Sequence, residues 1–126
     1  MNKIEKVNEV LTELRDPYLF EMSNLDTDDT GLSNGIIYIS TKYAYGTQIP
    51  HSARIKYTND NNTMFKVSVT ISDNPEIVAG EKDSIPSKNL KELYKWIKIN
   101  KIKLLDYWEN GNTYITKKFL NSLEKI

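Results

Sequence analysis

The chain contains no cysteine, which removes disulfides, thiolate metal sites and cysteine nucleophiles at once. It has a single histidine, His51, and its carboxylates are scattered without ligand spacing, so no metal site is expected. Glycine is sparse, at positions 31, 35, 46, 80 and 111, and these form neither a P-loop nor a dinucleotide fingerprint. Long apolar runs are missing too. The first fifteen residues carry charges at Lys3, Glu5, Lys6, Glu9, Glu13 and Arg15, which breaks the apolar stretch a signal peptide needs. No later segment reaches the length of a membrane span. The expected setting is cytoplasmic, with no membrane partner and no cofactor.

What remains is material for one domain spanning residues 1–126. At that length a chain buries enough surface for one core. Hydrophobic residues make up 39% and charged residues 27%, with eight Tyr, three Phe and two Trp, so there is apolar surface enough to offset chain entropy. Seventeen basic residues balance seventeen acidic ones, yet the charges are segregated. Residues 1–40 hold three basic and eight acidic side chains, residues 41–86 five and five, and residues 87–126 nine and four. Overall neutrality removes the strong long-range field of a typical nucleic-acid binder.

Along the chain, Ile4, Val7, Val10 or Leu11, and Leu14 recur at helical spacing, which predicts an amphipathic helix over 3–15 ended by Asp16-Pro17. A strand start is read at 18–22. Residues 23–35 are rich in Asp, Thr, Ser, Asn and Gly and read as a surface loop. Strands are predicted over 36–41, 53–58 and 64–71, with a short fourth over 76–79 closed by Gly80. In the third, Phe65, Val67, Val69 and Ile71 alternate with polar residues and define one inner face. The turns between them fall at 58–63 and 72–75, giving an antiparallel meander. Ser87 reads as the N-cap of a helix whose apolar stripe is Leu90, Leu93, Tyr94 and Ile97, with Lys88, Lys91, Lys95 and Lys98 opposite. Continued unbroken, that helix would bring Ile99 and Ile102 out on the lysine side, so a break is expected near Asn100. A second helix carrying Leu104, Leu105 and Trp108 then ends at 110–112, and a final one within 113–126, from about Thr116, buries Phe119, Leu120, Leu123 and Ile126. The fold class is α+β: a meander of about four strands covered by C-terminal helices, with an N-terminal helix.

The most distinctive stretch is 43–51 with the strand behind it. Tyr43, Tyr45, His51, Arg54 and Lys56 gather aromatics, the single imidazole and two cations around a Gly/Pro-containing loop, a set suited to a nucleotide, a base or another small anion. The competing reading packs the tyrosines on the hairpin and makes His51 a turn residue. Asp26, Asp28 and Gly31 imitate the start of a calcium loop, but the twelfth position, where a bidentate Glu belongs, is Ile37. The four lysines from 88 to 98 can meet phosphates or simply face water. Trp96 and Trp108 read as core or interface anchors. His51 with Ser52 or Ser40 has no nucleophile elbow or triad order around it, which leaves a hydrolase as the weakest alternative.

The run Gly35-Ile-Ile-Tyr-Ile-Ser, then Ile49-Pro50-His51 leading into Ala53-Arg-Ile-Lys-Tyr, then Trp96, Asn100, Leu104-Leu105 and Trp108, resembles the bacterial domain of unknown function catalogued as four-one-six-zero. The resemblance covers about 35–111, leaving out the N-terminal helix and acidic loop of 1–34 and the last helix. Family members carry a second histidine two residues after the first, where this chain has Ala53. The likeness implies a compact bacterial α+β domain, sometimes encoded beside toxin-antitoxin-like proteins, and implies no activity. The leading expectation is a non-enzymatic binding or interaction module of a bacterium or phage, holding a protein or small anionic ligand near His51. The alternatives are a nucleic-acid-associated, toxin-antitoxin-type accessory protein using the lysine stripe, and a hydrolase centred on His51.

Overall fold

The structure, a computed structural model, describes residues 23–42, 52–60, 65–111 and 116–126. The expected helix over 3–15 and strand start at 18–22 lie outside these residues. Five short strands, β1 (Ser23–Leu25), β2 (Ile36–Ile39), β3 (Arg54–Thr58), β4 (Val67–Thr70) and β5 (Ile77–Gly80), form an antiparallel sheet in sequence order. Each strand pairs with the next, as local connections favour. The α+β meander is therefore present, with one strand more than expected.

Alternation in the strands sorts the sheet into two faces. Leu25, Ile37, Ile39, Ile55, Tyr57, Val67 and Val69 all point to one side and are buried. Ile71 extends this set just past β4. Between Ser68 and Val69 the register with β5 slips by one, and Val78 is left as the additional, exposed residue of the bulge.

The extra strand comes from the stretch expected to be loop. Residues 23–35 hold β1 and a one-turn helix, α1 (Thr27–Thr30). Asp26 caps this turn: its Oδ1 accepts from the backbone N–H groups of Asp28 and Asp29, while Asp29 Oδ2 accepts from Asp26 N–H. In this reciprocal box the carboxylates of Asp26 and Asp29 serve the backbone. Gly31 closes the turn at φ 82°, where a Cβ would also lie 2.4 Å from the carbonyl oxygen of Ile126. A side chain there would be strained twice over.

The helical layer begins with α2 (Ser87–Ile99) and α3 (Lys101–Asn110). Ser87 is not the N-cap, as expected, but the first helical residue. Pro86 occupies the cap with no side-chain bond, and its carbonyl accepts from Leu90 N–H to close the first turn. Proline lacks the N–H that would otherwise be orphaned at a helix start. Leu93, Trp96 and Ile97 from α2, and Leu104 and Tyr107 from α3, join the inner-face strand residues in one core. Phe119 of α4 (Thr116–Ser122) stacks on Tyr107 at 4.3 Å between ring centroids. Leu120, Leu123 and Ile126 pack partly buried against the same core. Trp96 is a core residue, although among the described residues its buried indole N–H has no hydrogen-bond partner, a cost of about 1–3 kcal/mol.

The expected break falls at Asn100, for a reason other than the one inferred from the sequence. Asn100 is 1% exposed, and its amide is fully used. Nδ2 donates to the carbonyls of Trp96 and Glu124, and Oδ1 accepts from Glu124 N–H at 2.8 Å. The break thus clamps the C-terminal tail, which is stitched again where Ile126 N–H donates to the Thr30 carbonyl. Ile99 and Ile102 are not rescued by it and remain exposed.

Candidate functional site

Opposite the helical layer, the sheet presents a second surface built from the alternate residues. One cross-strand row runs through all five strands, Asn24, Tyr38, Lys56, Ser68 and Ala79, with Lys56 at its centre. Arg54 faces Thr70 one step along the same face. Directly paired residues hold their side chains within contact range, so this row is a physical neighbourhood.

Lys56 is half-buried. Its Nζ donates to Ser68 Oγ at 3.0 Å and stands 4.7 Å from the centroid of the Phe65 ring. An ammonium over an aromatic face is held by the ring quadrupole as well as by its hydrogen bonds. Phe65 in turn meets Tyr38 edge-to-face at 6.0 Å. Burial pushes the Tyr38 hydroxyl above its ordinary pKa, which keeps it a neutral donor. Arg54 folds back on Ser52, with Nε donating to the Ser52 carbonyl and Nη2 to Ser52 Oγ, both at 3.1 Å. Those contacts fix the plane of the guanidinium, and among the described residues its Nη1 meets no acceptor.

The alternating pattern of the third predicted strand misplaces Phe65. Val67, Val69 and Ile71 are inside, but β4 begins only at Val67, and the Phe65 ring lies with Tyr38 and Lys56 of the outer face. A strand-period argument holds only where the ladder holds, and it does not extend back to Phe65.

Of the five residues expected at the site, Arg54 and Lys56 fall on one face two positions apart. Tyr43, Tyr45 and His51 lie outside the described residues. Ser52, the candidate nucleophile beside His51, has its Oγ occupied by Arg54, and Ser40 is buried. Tyr38, Phe65 and Ser68 were not singled out by sequence. Tyr38 carries a usable signal, since it is the aromatic out of phase with Ile37 and Ile39. The four lysines from 88 to 98 are all exposed on α2. Among the described residues no group of three potential metal ligands converges. No described helix is long and apolar enough to cross a membrane.

On the inner side, the loop before β2 is tied to α2. Ser33 donates from both its backbone N–H and its Oγ to Glu92 Oε1, which holds the Glu92 carboxyl below its usual pKa. Tyr57 reaches the same loop, its hydroxyl donating to the Asn34 carbonyl at 3.0 Å. Burial, aided by the Glu92 charge, pushes that hydroxyl up to about 12. Gly35 makes this possible: at φ 96° a Cβ would lie 2.4 Å from the Thr58 carbonyl and 2.6 Å from the Tyr57 hydroxyl.

No protein family, no curated protein and no solved structure matches this chain. The likeness to the four-one-six-zero family therefore rests on its short motifs alone.

Proposed function

We propose that this chain is a non-enzymatic binding module, and that the outer face of its sheet holds a small anionic ligand bearing a flat ring. The observation that carries the reading is the convergence on one face of two cations, Lys56 and Arg54, with two aromatics, Tyr38 and Phe65. Aromatic rings supply a stacking surface, and the remaining N–H groups of an anchored guanidinium supply paired donors for a carboxylate or phosphate. A half-buried lysine in the middle of a sheet is also unusual for a surface that serves only solubility. The loop of 43–51, with Tyr43, Tyr45 and His51, adjoins β3 in sequence and extends the same set of ligand-binding residues. The bacterial or phage origin and the cytoplasmic setting belong to this reading as well.

The test is an NMR titration of the full chain with adenosine 5′-monophosphate, with adenosine and inorganic phosphate as separate arms. Saturable shifts are expected at Tyr38, Arg54, Lys56 and Phe65 with the nucleotide. They should be weaker with either fragment and reduced at least fivefold in affinity by Arg54→Ala. Absence of saturable shifts on β2, β3 and β4 with nucleotides and with aromatic carboxylates would overturn the proposal.

A further inference from the structure

The surface of α2 that faces away from the sheet is a separate feature. Lys88, Lys91, Lys95 and Lys98 are exposed there, and so are Ile99, at 44%, and Ile102, at 80%. Asn100 joins the two helices: its N–H makes the last bond of α2, to the Trp96 carbonyl, and its carbonyl accepts the first bond of α3, from Leu104 N–H. Within α2, at 3.6 residues per turn, the four lysines and Ile99 fall within an arc of about 100°, and Ile102 stands exposed at the start of α3. Two carboxylates border this corner: Glu92, bonded to Ser33 and close enough to Lys88 to feel its charge, and Asp73, paired with Lys101 at 2.8 Å. That pairing, with the charge of Lys98 behind it, holds Asp73 below its usual pKa. Beyond Ile102 the sign changes, because Asp106 and Glu109 follow on α3, with Glu109 held by Lys42. The patch is therefore a short positive strip ending in two protruding isoleucines.

We propose that this corner is a peripheral contact for an anionic lipid surface, with Ile99 and Ile102 entering the boundary between headgroups and acyl chains and the lysines meeting headgroup phosphates. Three observations select this occupant. A nucleic-acid backbone would use the lysines but gain nothing from two isoleucines placed among them. A folded protein partner needs about 800 Å² of matched surface per side, and two isolated exposed isoleucines do not supply it. A second copy would bring lysine against lysine. A lipid surface requires no matching shape, accepts isolated apolar side chains, and draws in lysines whose stems follow the isoleucines while their charges stay at headgroup level. The contact is superficial and is independent of the ligand face across the sheet.

The test is co-sedimentation of the full chain with vesicles of phosphatidylcholine alone and of phosphatidylcholine with about one third phosphatidylserine, with a single-stranded RNA as a competing arm. Binding to the anionic vesicles only is expected. It should fall about tenfold in the Ile99→Ser/Ile102→Ser variant, because two apolar side chains are removed from the lipid boundary. It should disappear in Lys95→Glu/Lys98→Glu. All four positions are exposed, so unchanged circular dichroism melting of both variants is expected to accompany the loss. Failure to sediment with anionic vesicles, binding to RNA alone, or undiminished vesicle binding after the isoleucine substitutions would each overturn the proposal.

Discussion

Two neighbouring rows of the sheet differ by one residue in every strand and yet belong to different chemical worlds. Leu25, Ile37, Tyr57, Val67 and Gly80 cross the sheet on the helix side, and Asn24, Tyr38, Lys56, Ser68 and Ala79 cross it on the other. In the first row Ile37 and Tyr57 are wholly buried, and the polar atom present, the Tyr57 hydroxyl, is matched to a single acceptor on the Asn34 carbonyl. In the second row Lys56 stands where the first row has its ring, bonded to Ser68 and set over Phe65, which in turn meets Tyr38. The inner row is held by volume and the outer row by specific partners. Volume resists substitution strongly and forgives chemical detail, whereas pairwise polar contacts contribute little stability and much recognition.

Removing volume from the inner face should have the largest effect. Ile55→Ala, at a position 1% exposed, is expected to lower unfolding free energy by about 2–4 kcal/mol in urea denaturation, from lost transfer energy plus the cavity left behind. A loss below about 1 kcal/mol would mean that the inner face is not the packed side of the sheet.

Tyr57→Phe is the intermediate case. It keeps the ring and deletes the bond to Asn34, for about 0.5–1.5 kcal/mol at neutral pH. The same variant carries a pH signature. The folded Tyr57 hydroxyl holds its proton to about 12, against 10.0 for an ordinary tyrosine. Below pH 10 both folded and unfolded forms are neutral and the stabilisation is complete. Above it the unfolded chain ionises first, so stability is lost as pH rises through about 12. Urea midpoints measured from pH 9 upward should fall less steeply in Tyr57→Phe than in the parent. Tyr38 and Tyr94, also raised by burial, leave a residual slope.

The smallest effect is expected on the outer row. Lys56→Met retains the aliphatic stem and removes the ammonium from Ser68 and from the Phe65 ring, so stability should change by less than about 1 kcal/mol. If the outer face is the binding surface, the same substitution should weaken nucleotide binding several-fold. A variant as destabilised as Ile55→Ala would erase the distinction between the two rows.

Periodicity made the inner face legible, because Ile37, Ile55, Val67 and Val69 each sit at the positions a period of two assigns to one side. The helix stripe was legible for the same reason, and the break at Asn100 was located by the awkward positions of Ile99 and Ile102. What periodicity missed depends on contacts distant in sequence. Asn100 is explained by Glu124, Gly31 by Ile126 and the fixed loop before β2 by Glu92, and no local window contains both members of these pairs. The acidic run at 26–31 was read through its side chains as a solvated loop, when the decisive fact was which backbone N–H groups they cap. On the binding face, Arg54 and Lys56 were found by charge, whereas Tyr38 and Phe65 needed the register.

The amide of Asn100 also sets what evolution or design can write at that position. Aspartate would offer the acceptor but no donors, and would bury a charge against two carbonyls. Leucine would leave the Glu124 N–H and carbonyl orphaned, and glutamine would displace the amide by one carbon. The helix break and residues 124–126 are consequently one structural unit, so a change at Asn100 loosens the tail along with the break.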